Sequence, residues 1–214
     1  MARGTIYVYV LDILADWELG FALAELHSGR YFKRPGEGYT VTTFGLTQEP
    51  VVTMGGLRIV PDRTVDEVVV EQAALLMLPG GATWGAARHG PVLAKVPAFL
   101  AAGVPVAAIC GATTGLAQAG VLNDRPHTSN DLGYLRATCP AYAGEAHYQA
   151  VPAVTAGDLI TASGAAPLEF AYHIVKRLAV FGDETLDAWY KLYTTRAPHY
   201  FFQLMQSLPL QPQA

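Results

Sequence analysis

The sequence predicts an α/β protein in which a three-layer, doubly wound and mostly parallel sheet lies between helices. Short runs such as residues 4–11, 75–78 and 104–109 are apolar nearly throughout. Strands that are covered by helices on both faces have this continuous apolar character. These runs alternate along the chain with segments of helical periodicity, and that alternation is typical of a doubly wound sheet.

The elements expected in the first half of the chain are a strand over 4–11, a helix over 16–28, a strand over 39–44, a small hairpin within 45–65, a strand over 75–78 and a helix over 90–102. Asp16 fits the N-cap position of the first helix, and Gly29 fits the position after its last turn. Pro91 lies in the first turn of the second helix, where proline is tolerated.

The elements expected in the second half are a strand over 104–109, a helix over 113–119 closed by Gly120, a short strand near 127–129, a helix over 131–138, strands near 147–154 and 158–162, a helix from Pro167 to about Ala179 and one or two aromatic-rich C-terminal helices. No repeat or linker divides the sequence. We therefore expect residues 1–207 to form a single domain and residues 208–214 to form a frayed tail.

Composition bounds the class of protein. The 214 residues are 51% hydrophobic and 15% charged, with a net charge of -4, which indicates a globular chain with a large core. No basic run occurs, so neither nucleic acid nor a membrane surface is an expected partner. Two cysteines are too few for a disulfide scaffold, and no signal peptide or membrane span is recognisable. We expect a cytoplasmic protein with free thiols.

Cys110 is the main candidate for a reactive residue. It directly follows the predicted buried strand over 104–109 and precedes Gly111 and Ala112, whose small size allows a sharp turn into a helix. The N-terminus of a helix favours a thiolate through its dipole and its free N–H groups. The alternative, a buried inert cysteine, is the more common fate of a lone thiol, but the turn favours a nucleophile.

Two other strand ends carry candidate groups. Glu18 lies after the first strand, and it assists a neighbouring thiolate only when the carboxyl is protonated and donates a hydrogen bond. Gly80, Gly81 and Trp84 follow the strand over 75–78 and are candidates for oxyanion or substrate binding. The alternatives are an acidic residue in a first helical turn and a simple glycine turn.

A metal or nucleotide cofactor has little support. None of the histidines shows ligand spacing with another, and no phosphate-binding Gly-Lys loop is present. The histidines are His27, His89, His127, His147, His173 and His199. We expect neither a metal nor another cofactor, and a small molecule as the substrate.

Four segments in this order resemble the DJ-1/PfpI (ThiJ-like) superfamily. They are Ala15–Glu18, Leu78–Gly81, Ala108–Ala112 with Leu116–Leu122, and Ile160–Gly164. The resemblance covers about residues 4–180 and is greatest to the bacterial intracellular protease/amidase branch. It implies a flavodoxin-like, class I glutamine amidotransferase-like fold and a homodimer. The aromatic residues Tyr190, Tyr193, Tyr200, Phe201 and Phe202 either cover an interface or cap the core.

The same resemblance implies roles for the candidate residues. Cys110 is the nucleophile, Glu18 is the protonated acid beside it, and Gly81 and Gly111 are oxyanion donors. Many relatives carry a histidine at a third catalytic position. Here the equivalent position holds Asn130, while His127 lies three residues earlier, so that on a strand its side chain would point to the opposite face.

Three functions follow from these residues. The first is a cysteine-dependent enzyme for a small carbonyl or amide electrophile, of hydrolase, amidase or glyoxalase type. The second is a redox or stress-response protein that uses oxidation of Cys110 and has little turnover. Glutamine amidotransfer ranks last, since the sequence shows neither a late His-x-Glu pair nor a synthase domain. No role is assigned to Cys139.

Overall fold

The computed structural model describes residues 2–209. Its strands are β1 (Ala2–Tyr9), β2 (Gly38–Gly45), β3 (Val51–Val52), β4 (Arg58–Ile59), β5 (Arg63–Thr64), β6 (Ala73–Leu78), β7 (Val106–Ile109), β8 (Ala153–Ala156) and β9 (Leu159–Ala162). Its α-helices are α1 (Gly20–Ser28), α2 (Gly90–Ala101), α3 (Gly111–Gln118), α4 (Leu132–Thr138), α5 (Pro167–Leu178), α6 (Asp183–Thr195) and α7 (His199–Gln206). Short 3₁₀ helices cover Asp16–Glu18, Val65–Glu67, Val70–Gln72, Ala87–His89 and Glu145–His147.

A mostly parallel sheet organises the described residues, in the strand order β5-β2-β1-β6-β7-β9-β8. All of its pairs are parallel except β8 with β9, which joins the edge as an antiparallel strand. β3 and β4 form a separate antiparallel hairpin. Helices cover both faces, as the predicted three-layer, flavodoxin-like class requires.

The centre of the sheet is the centre of the core. Every residue of β7 is fully buried, as are Leu75 and Met77 of β6. α2 and α3 pack on β7, while α5 packs on β9 and on α1. Because the central parallel strands are covered on both faces, their sequences are apolar without alternation.

Two of the expected strands differ from the structure. Residues 127–129 do not form a strand, since only an isolated bridge joins His127 to Tyr148. The segment 147–154 is mostly irregular, and its strand begins only at Ala153. Both errors come from short β-prone runs whose hydrogen-bonding partners are set by the tertiary fold.

The N-cap predicted at Asp16 is also wrong. The chain enters a 3₁₀ helix at Asp16, and the Asp16 carboxylate instead accepts a hydrogen bond from the N–H of Gly55 at 2.6 Å. The α-helix starts only at Gly20 and ends, as expected, before Gly29, which has a positive φ of 61°. Through this bond, Asp16 connects the β3–β4 hairpin to the segment that follows β1.

The predicted frayed tail begins at Leu208. Its residues 210–214 lie outside the part of the chain that the structure describes. Over residues 2–209, none of the helices has the length and apolar character that crossing a bilayer requires.

Candidate functional site

Cys110 occupies the predicted sharp turn between β7 and α3. Its backbone has φ 57° and ψ -125°, a conformation that a non-glycine residue rarely adopts and that costs about 1–3 kcal/mol. The Cys110 N–H donates to the carbonyl of Ala162 at 3.0 Å, and the Thr113 hydroxyl donates to the Cys110 carbonyl at 2.6 Å. These bonds hold the thiol at the N-terminus of α3.

Glu18 is completely buried beside this thiol. Its Oε2 accepts the N–H of Gly80 at 2.5 Å, whereas Oε1 has no hydrogen-bond partner of ordinary geometry within residues 2–209. A Cβ at Gly80 would lie 2.6 Å from both Glu18 oxygens and from the Cys110 Cβ, and a Cβ at Gly164 would lie 2.7 Å from the Cys110 Sγ. The two glycines therefore leave the space in which the thiol and carboxyl meet.

The electrostatics of this pair follow from burial. Burial raises the pKa of the Glu18 carboxyl, although the Gly80 N–H acts in the opposite direction. Burial also raises the pKa of the Cys110 thiol; hydrogen bonds from the Asn130 amide and the Gly111 N–H lower it, and an ionised Glu18 raises it further. Ionisation of both groups at once is therefore disfavoured, and the two titrate as a coupled pair.

Asn130 is the third polar side chain at the thiol. Its Nδ2 donates to the Cys110 Sγ at 3.3 Å, and its Oδ1 accepts the N–H of Gly164 at 2.8 Å. The preceding residues are anchored, since the Thr128 N–H donates to the Thr161 hydroxyl at 2.9 Å and the Ser129 hydroxyl lies 2.6 Å from that of Thr113. These bonds fix Asn130 without a strand.

His127 is not brought to the thiol. Its Nδ1 lies 2.8 Å from the carbonyl of Arg125, and its Nε2 lies 2.7 Å from the Tyr142 hydroxyl. A carbonyl only accepts, so Nδ1 carries the proton and Nε2 accepts from Tyr142. Burial lowers the pKa of His127, which is consistent with a neutral packing histidine. Of the two residues considered for the third catalytic position, Asn130 is the one that contacts the thiol, and His127 is bonded elsewhere.

The two candidate oxyanion donors lie against each other. A Cβ at Gly111 would lie 2.6 Å from the Gly81 carbonyl oxygen and 3.3 Å from the Gly81 nitrogen. Gly111 is the first residue of α3, so its N–H has no carbonyl partner four residues earlier within the helix. Gly80 differs from the prediction, because its N–H is bonded to Glu18 and its carbonyl accepts from Ala15.

Trp84 lies in the wall of the cleft but is only 2% exposed. Its Nε1 donates to the carbonyl of Pro79 at 2.8 Å, and its ring lies against that of His89. His89 in turn lies 2.8 Å, through Nδ1, from the Tyr9 hydroxyl. Trp84 thus supports the loop that carries Gly81, and it offers a substrate little surface.

The sequence analysis missed several residues that shape the site. Gly164 contacts the thiol region, and its carbonyl accepts from Trp17 Nε1 at 3.1 Å. Met54, from the β3–β4 hairpin, and Tyr134, from α4, line the cleft with Trp17. Trp17 and Gly164 lie within segments of the family resemblance, but no local pattern marks Met54 or Tyr134, because these four segments meet only after folding. Within residues 2–209, no three histidine, cysteine or acidic side chains are grouped as metal ligands.

Comparison with known proteins gives a family match over most of the chain. The model of the DJ-1/PfpI family matches residues 4–177. Two similar proteins of Bacillus subtilis are both named as uncharacterized proteases. YoaZ is 50% identical over 97% of this chain and 99% of its own, and YdeA is 32% identical over 90% and 91%.

Solved structures of thiJ/pfpI and DJ-1 superfamily proteins are also similar to this chain. A thiJ/pfpI family protein from Bacillus anthracis has a TM-score of 0.92 and 47% identity, over 97% of this chain and 99% of that one. A DJ-1 superfamily protein from Agrobacterium tumefaciens has a TM-score of 0.79 and 34% identity, over 92% and 99%. Both similarities extend over nearly the whole of each chain.

Proposed function

The chain belongs to the DJ-1/PfpI family, and we propose that it is a cysteine-dependent enzyme acting on a small carbonyl- or amide-type electrophile. The reaction is of hydrolase, amidase or glyoxalase type. One observation carries the proposal: the strained Cys110 turn presents its Sγ to the Asn130 amide at 3.3 Å, beside the buried Glu18 and the backbone of Gly81. The names of the Bacillus subtilis relatives support a hydrolytic reaction.

In the first step of the proposed reaction, the proton of the thiol passes to the Glu18 carboxylate, so that the pair carries one negative charge before and after. The Sγ thiolate then forms a bond to the carbonyl carbon, and the π electron pair moves to the carbonyl oxygen. The N–H groups of Gly81 and Gly111 donate to this oxyanion, which is the usual role of two adjacent backbone donors.

The fate of this adduct defines the reaction type. When the carbonyl carries a leaving group, that group departs with its bonding electron pair and takes up a proton, and water then hydrolyses the thioester. In a 2-oxoaldehyde, the proton on the attacked carbon moves to the neighbouring carbonyl carbon, the oxyanion re-forms a carbonyl, and the neighbouring oxygen becomes an alkoxide that takes up the proton from Glu18; the product is a 2-hydroxy thioester, which water hydrolyses. Among the described residues no histidine lines this cleft, so Glu18 is the titratable group that moves protons beside the thiol.

A turnover panel tests the proposal. It comprises a 2-oxoaldehyde, a p-nitrophenyl ester and an anilide, each measured with the wild-type chain and with Cys110→Ala. Because the proposed nucleophile is absent from the variant, we expect kcat/KM to fall by about 10³-fold or more for every compound that is turned over.

The matched control is Cys139→Ala. Cys139 is buried, and its thiol lies 3.6 Å from the Thr114 carbonyl, so its loss is expected to leave turnover unchanged. Turnover that survives Cys110→Ala would rule out the proposed mechanism. Turnover of none of the compounds by the wild type would rule out an enzyme for this class of electrophile.

A second function has one observation in its favour. The Oε1 of Glu18 is buried without a hydrogen-bond partner in the described residues, and it belongs to a carboxyl whose pKa burial raises. A protonated Glu18 can donate to an oxygen on the neighbouring sulfur. We therefore propose, as the alternative, a stress-response role in which peroxide oxidises the Cys110 thiolate to a sulfinate.

Mass spectrometry after mild peroxide treatment tests this alternative. Two equivalents of peroxide are reduced to water as the sulfur gains two oxygen atoms, and we expect this gain at Cys110 but not at the buried Cys139. The Glu18→Gln variant, which cannot supply the acid proton, should accumulate less sulfinate. Oxidation of Cys139 first would contradict the alternative.

A further inference from the structure

The cleft beside Cys110 has a volume of about 490 Å³, and none of the described residues that line it is charged. Its polar side chains include Thr114, Gln118, Asn130 and Thr138, all of which are neutral at every ordinary pH. Glu18 lies beside the thiol, but its side chain is wholly buried and does not line the cleft.

Three large side chains surround the entrance of this cleft. Trp17 follows β1, Met54 belongs to the β3–β4 hairpin and Tyr134 belongs to α4. They are 53%, 49% and 53% exposed, so they form one apolar and aromatic surface in contact with solvent beside the cleft. The bond from Trp17 Nε1 to the Gly164 carbonyl holds the indole beside the thiol. A ligand with an aromatic or other apolar group would cover all three.

An anionic substrate would find no cationic partner among the described residues that line this cleft. A carboxylate that leaves water needs an arginine, a lysine or several hydrogen-bond donors, and no cation is present among the described lining residues. The Cys110 thiolate that the proposed reaction forms would repel a second anion at short range. At the start of α3, the Gly111 N–H is assigned to the thiol and the oxyanion, and the Thr113 N–H donates to the Cys110 carbonyl at 3.0 Å, so neither is left for a substrate carboxylate.

We propose that this cleft selects neutral carbonyl compounds that carry an apolar, preferably aromatic, substituent, and that it rejects compounds with a carboxylate. This inference rests on the proposed function, because it specifies the substrate class of the same site. The carbonyl lies over Cys110 with its oxygen at Gly81 and Gly111, and the substituent lies among Trp17, Met54 and Tyr134.

The test uses two alkylating probes that require a thiolate and an occupied cleft but no turnover. They are N-phenyl-2-iodoacetamide and its 4-carboxyphenyl analogue; in each, the Cys110 thiolate displaces iodide and forms a carbon–sulfur bond. Rates are measured by intact mass and divided by the rates with 2-mercaptoethanol. We expect the neutral probe to react at least about 10-fold faster, and to show saturation.

Three variants complete the experiment. Trp17→Ala should lower the rate of the neutral probe by about 10-fold, because part of its apolar contact is lost. Met54→Arg should accelerate the carboxylate probe, since it places a cation at the entrance. Leu57→Arg is the matched control, because Leu57 lies on the same hairpin, is 63% exposed and does not line the cleft. It should change neither rate.

Equal normalised rates for the two probes, or equal effects of Met54→Arg and Leu57→Arg, would overturn the inference. Failure of the proposed function is seen separately. In that case the neutral probe is still preferred at Cys110, while no neutral aryl-substituted carbonyl compound is turned over.

Discussion

At the scale of single residues, the candidate site depends on the ionisation of Cys110 and Glu18 beside the neutral amide of Asn130. Cys110 and Glu18 are both buried, and burial acts against ionisation of each. The Asn130 amide donates to the sulfur and cannot itself ionise, so it stabilises the thiolate without adding charge. An amide at this position therefore activates the thiol differently from a histidine, which would also carry a proton.

The contact between Asn130 and Cys110 leads to the first prediction. Asn130→Ala should raise the pKa of Cys110, because the donor to the thiolate is lost. Asn130→Asp should raise the pKa further, since it keeps an acceptor for the Gly164 N–H but replaces the donor with a negative charge. The rate of alkylation by iodoacetamide as a function of pH measures both shifts. A Cys110 pKa that is the same in all three proteins would contradict this role.

The buried carboxyl leads to a prediction about stability. The pKa of Glu18 is raised in the folded protein, so the folded state binds more protons than the unfolded state above the ordinary value of 4.5. Stability is therefore lost as the pH rises from about this value through the folded pKa. In Glu18→Gln, whose amide oxygen can still accept from Gly80, this loss should be absent.

Thermal unfolding from pH 4 to pH 8 measures this difference. We expect Glu18→Gln to gain stability relative to the wild type as the pH rises, and the gain to disappear at the acid end. A wild-type Tm that rises relative to the variant over this interval would show that the carboxyl is stabilised as an anion.

At the scale of elements, the site forms where the carboxyl ends of neighbouring parallel strands meet. β1 leads to Glu18, β6 to Gly81, β7 to Cys110 and β9 to Gly164. Such edges are the usual location of sites in doubly wound sheets. The β3–β4 hairpin is added from outside the sheet, through the N–H of Met54 to the Leu14 carbonyl and the contact of Asp16 with Gly55.

The attachment of this hairpin can be tested through Asp16. The Thr53 side chain lowers the pKa of Asp16, as does the Gly55 N–H, so the carboxylate is ionised at neutral pH and this contact weakens only as acid protonates it. Asp16→Ala should weaken the hairpin by about 1 kcal/mol, which corresponds to roughly five-fold faster amide exchange at Gly55. Hydrogen exchange detected by mass spectrometry measures the change.

Asp16→Asn is the matched control for this experiment, because its amide oxygen can still accept the Gly55 N–H. It should retain most of the protection. Equal exchange at Gly55 in the wild type and in Asp16→Ala would mean that the hairpin is held by its backbone bonds alone.

At the scale of the whole molecule, the C-terminal helices are joined to the sheet through a buried acid. Glu25 of α1 is 1% exposed and accepts hydrogen bonds from Arg30 at 2.8 and 2.5 Å and from Trp189 of α6 at 3.0 Å. α7 packs on α6, so this contact connects the last part of the chain to the layer that covers β2. The aromatic residues divide accordingly, with Tyr190 and Tyr193 against the core and Phe202 exposed.

Loss of this contact should destabilise the fold. Glu25→Ala leaves the buried Trp189 N–H unpaired and creates a cavity, and we expect a loss of about 2–3 kcal/mol in the free energy of unfolding. Glu145→Ala is the comparison, because Glu145 pairs with Arg136 on the surface and should cost at most about 1 kcal/mol. Urea unfolding measures both, and similar costs for the two variants would contradict a special role for Glu25.

The homodimer implied by the family resemblance stays a prediction. Phe201, Phe202 and Met205 give α7 an exposed apolar face, which is a suitable contact surface for a second copy. Light scattering should give twice the chain mass of 22.9 kDa, and Phe202→Glu should shift the protein toward the monomer. A wild-type mass of one chain at micromolar concentration would refute the prediction.

The sequence by itself determined the fold class and the position of Cys110 at a sharp turn. Continuous apolar runs are typical of strands covered on both faces, and a residue between such a run and Gly111 is well placed for a strand-to-helix turn. The three-layer class and the turn at Cys110 are therefore confirmed. These features depend on periodicity and on local steric effects, both of which can be recognised in the sequence itself.

The tertiary structure alone decided what surrounds the thiol. Whether His127 or Asn130 contacts the thiol depends on the hydrogen bonds of His127 to Arg125 and Tyr142, which no local pattern reveals. The strand predicted over 127–129 is also absent. The burial of Glu18 and the apolar entrance around Cys110 likewise arise from segments far apart in sequence. Contacts of this kind depend on packing in three dimensions, and spacing along the chain does not encode them.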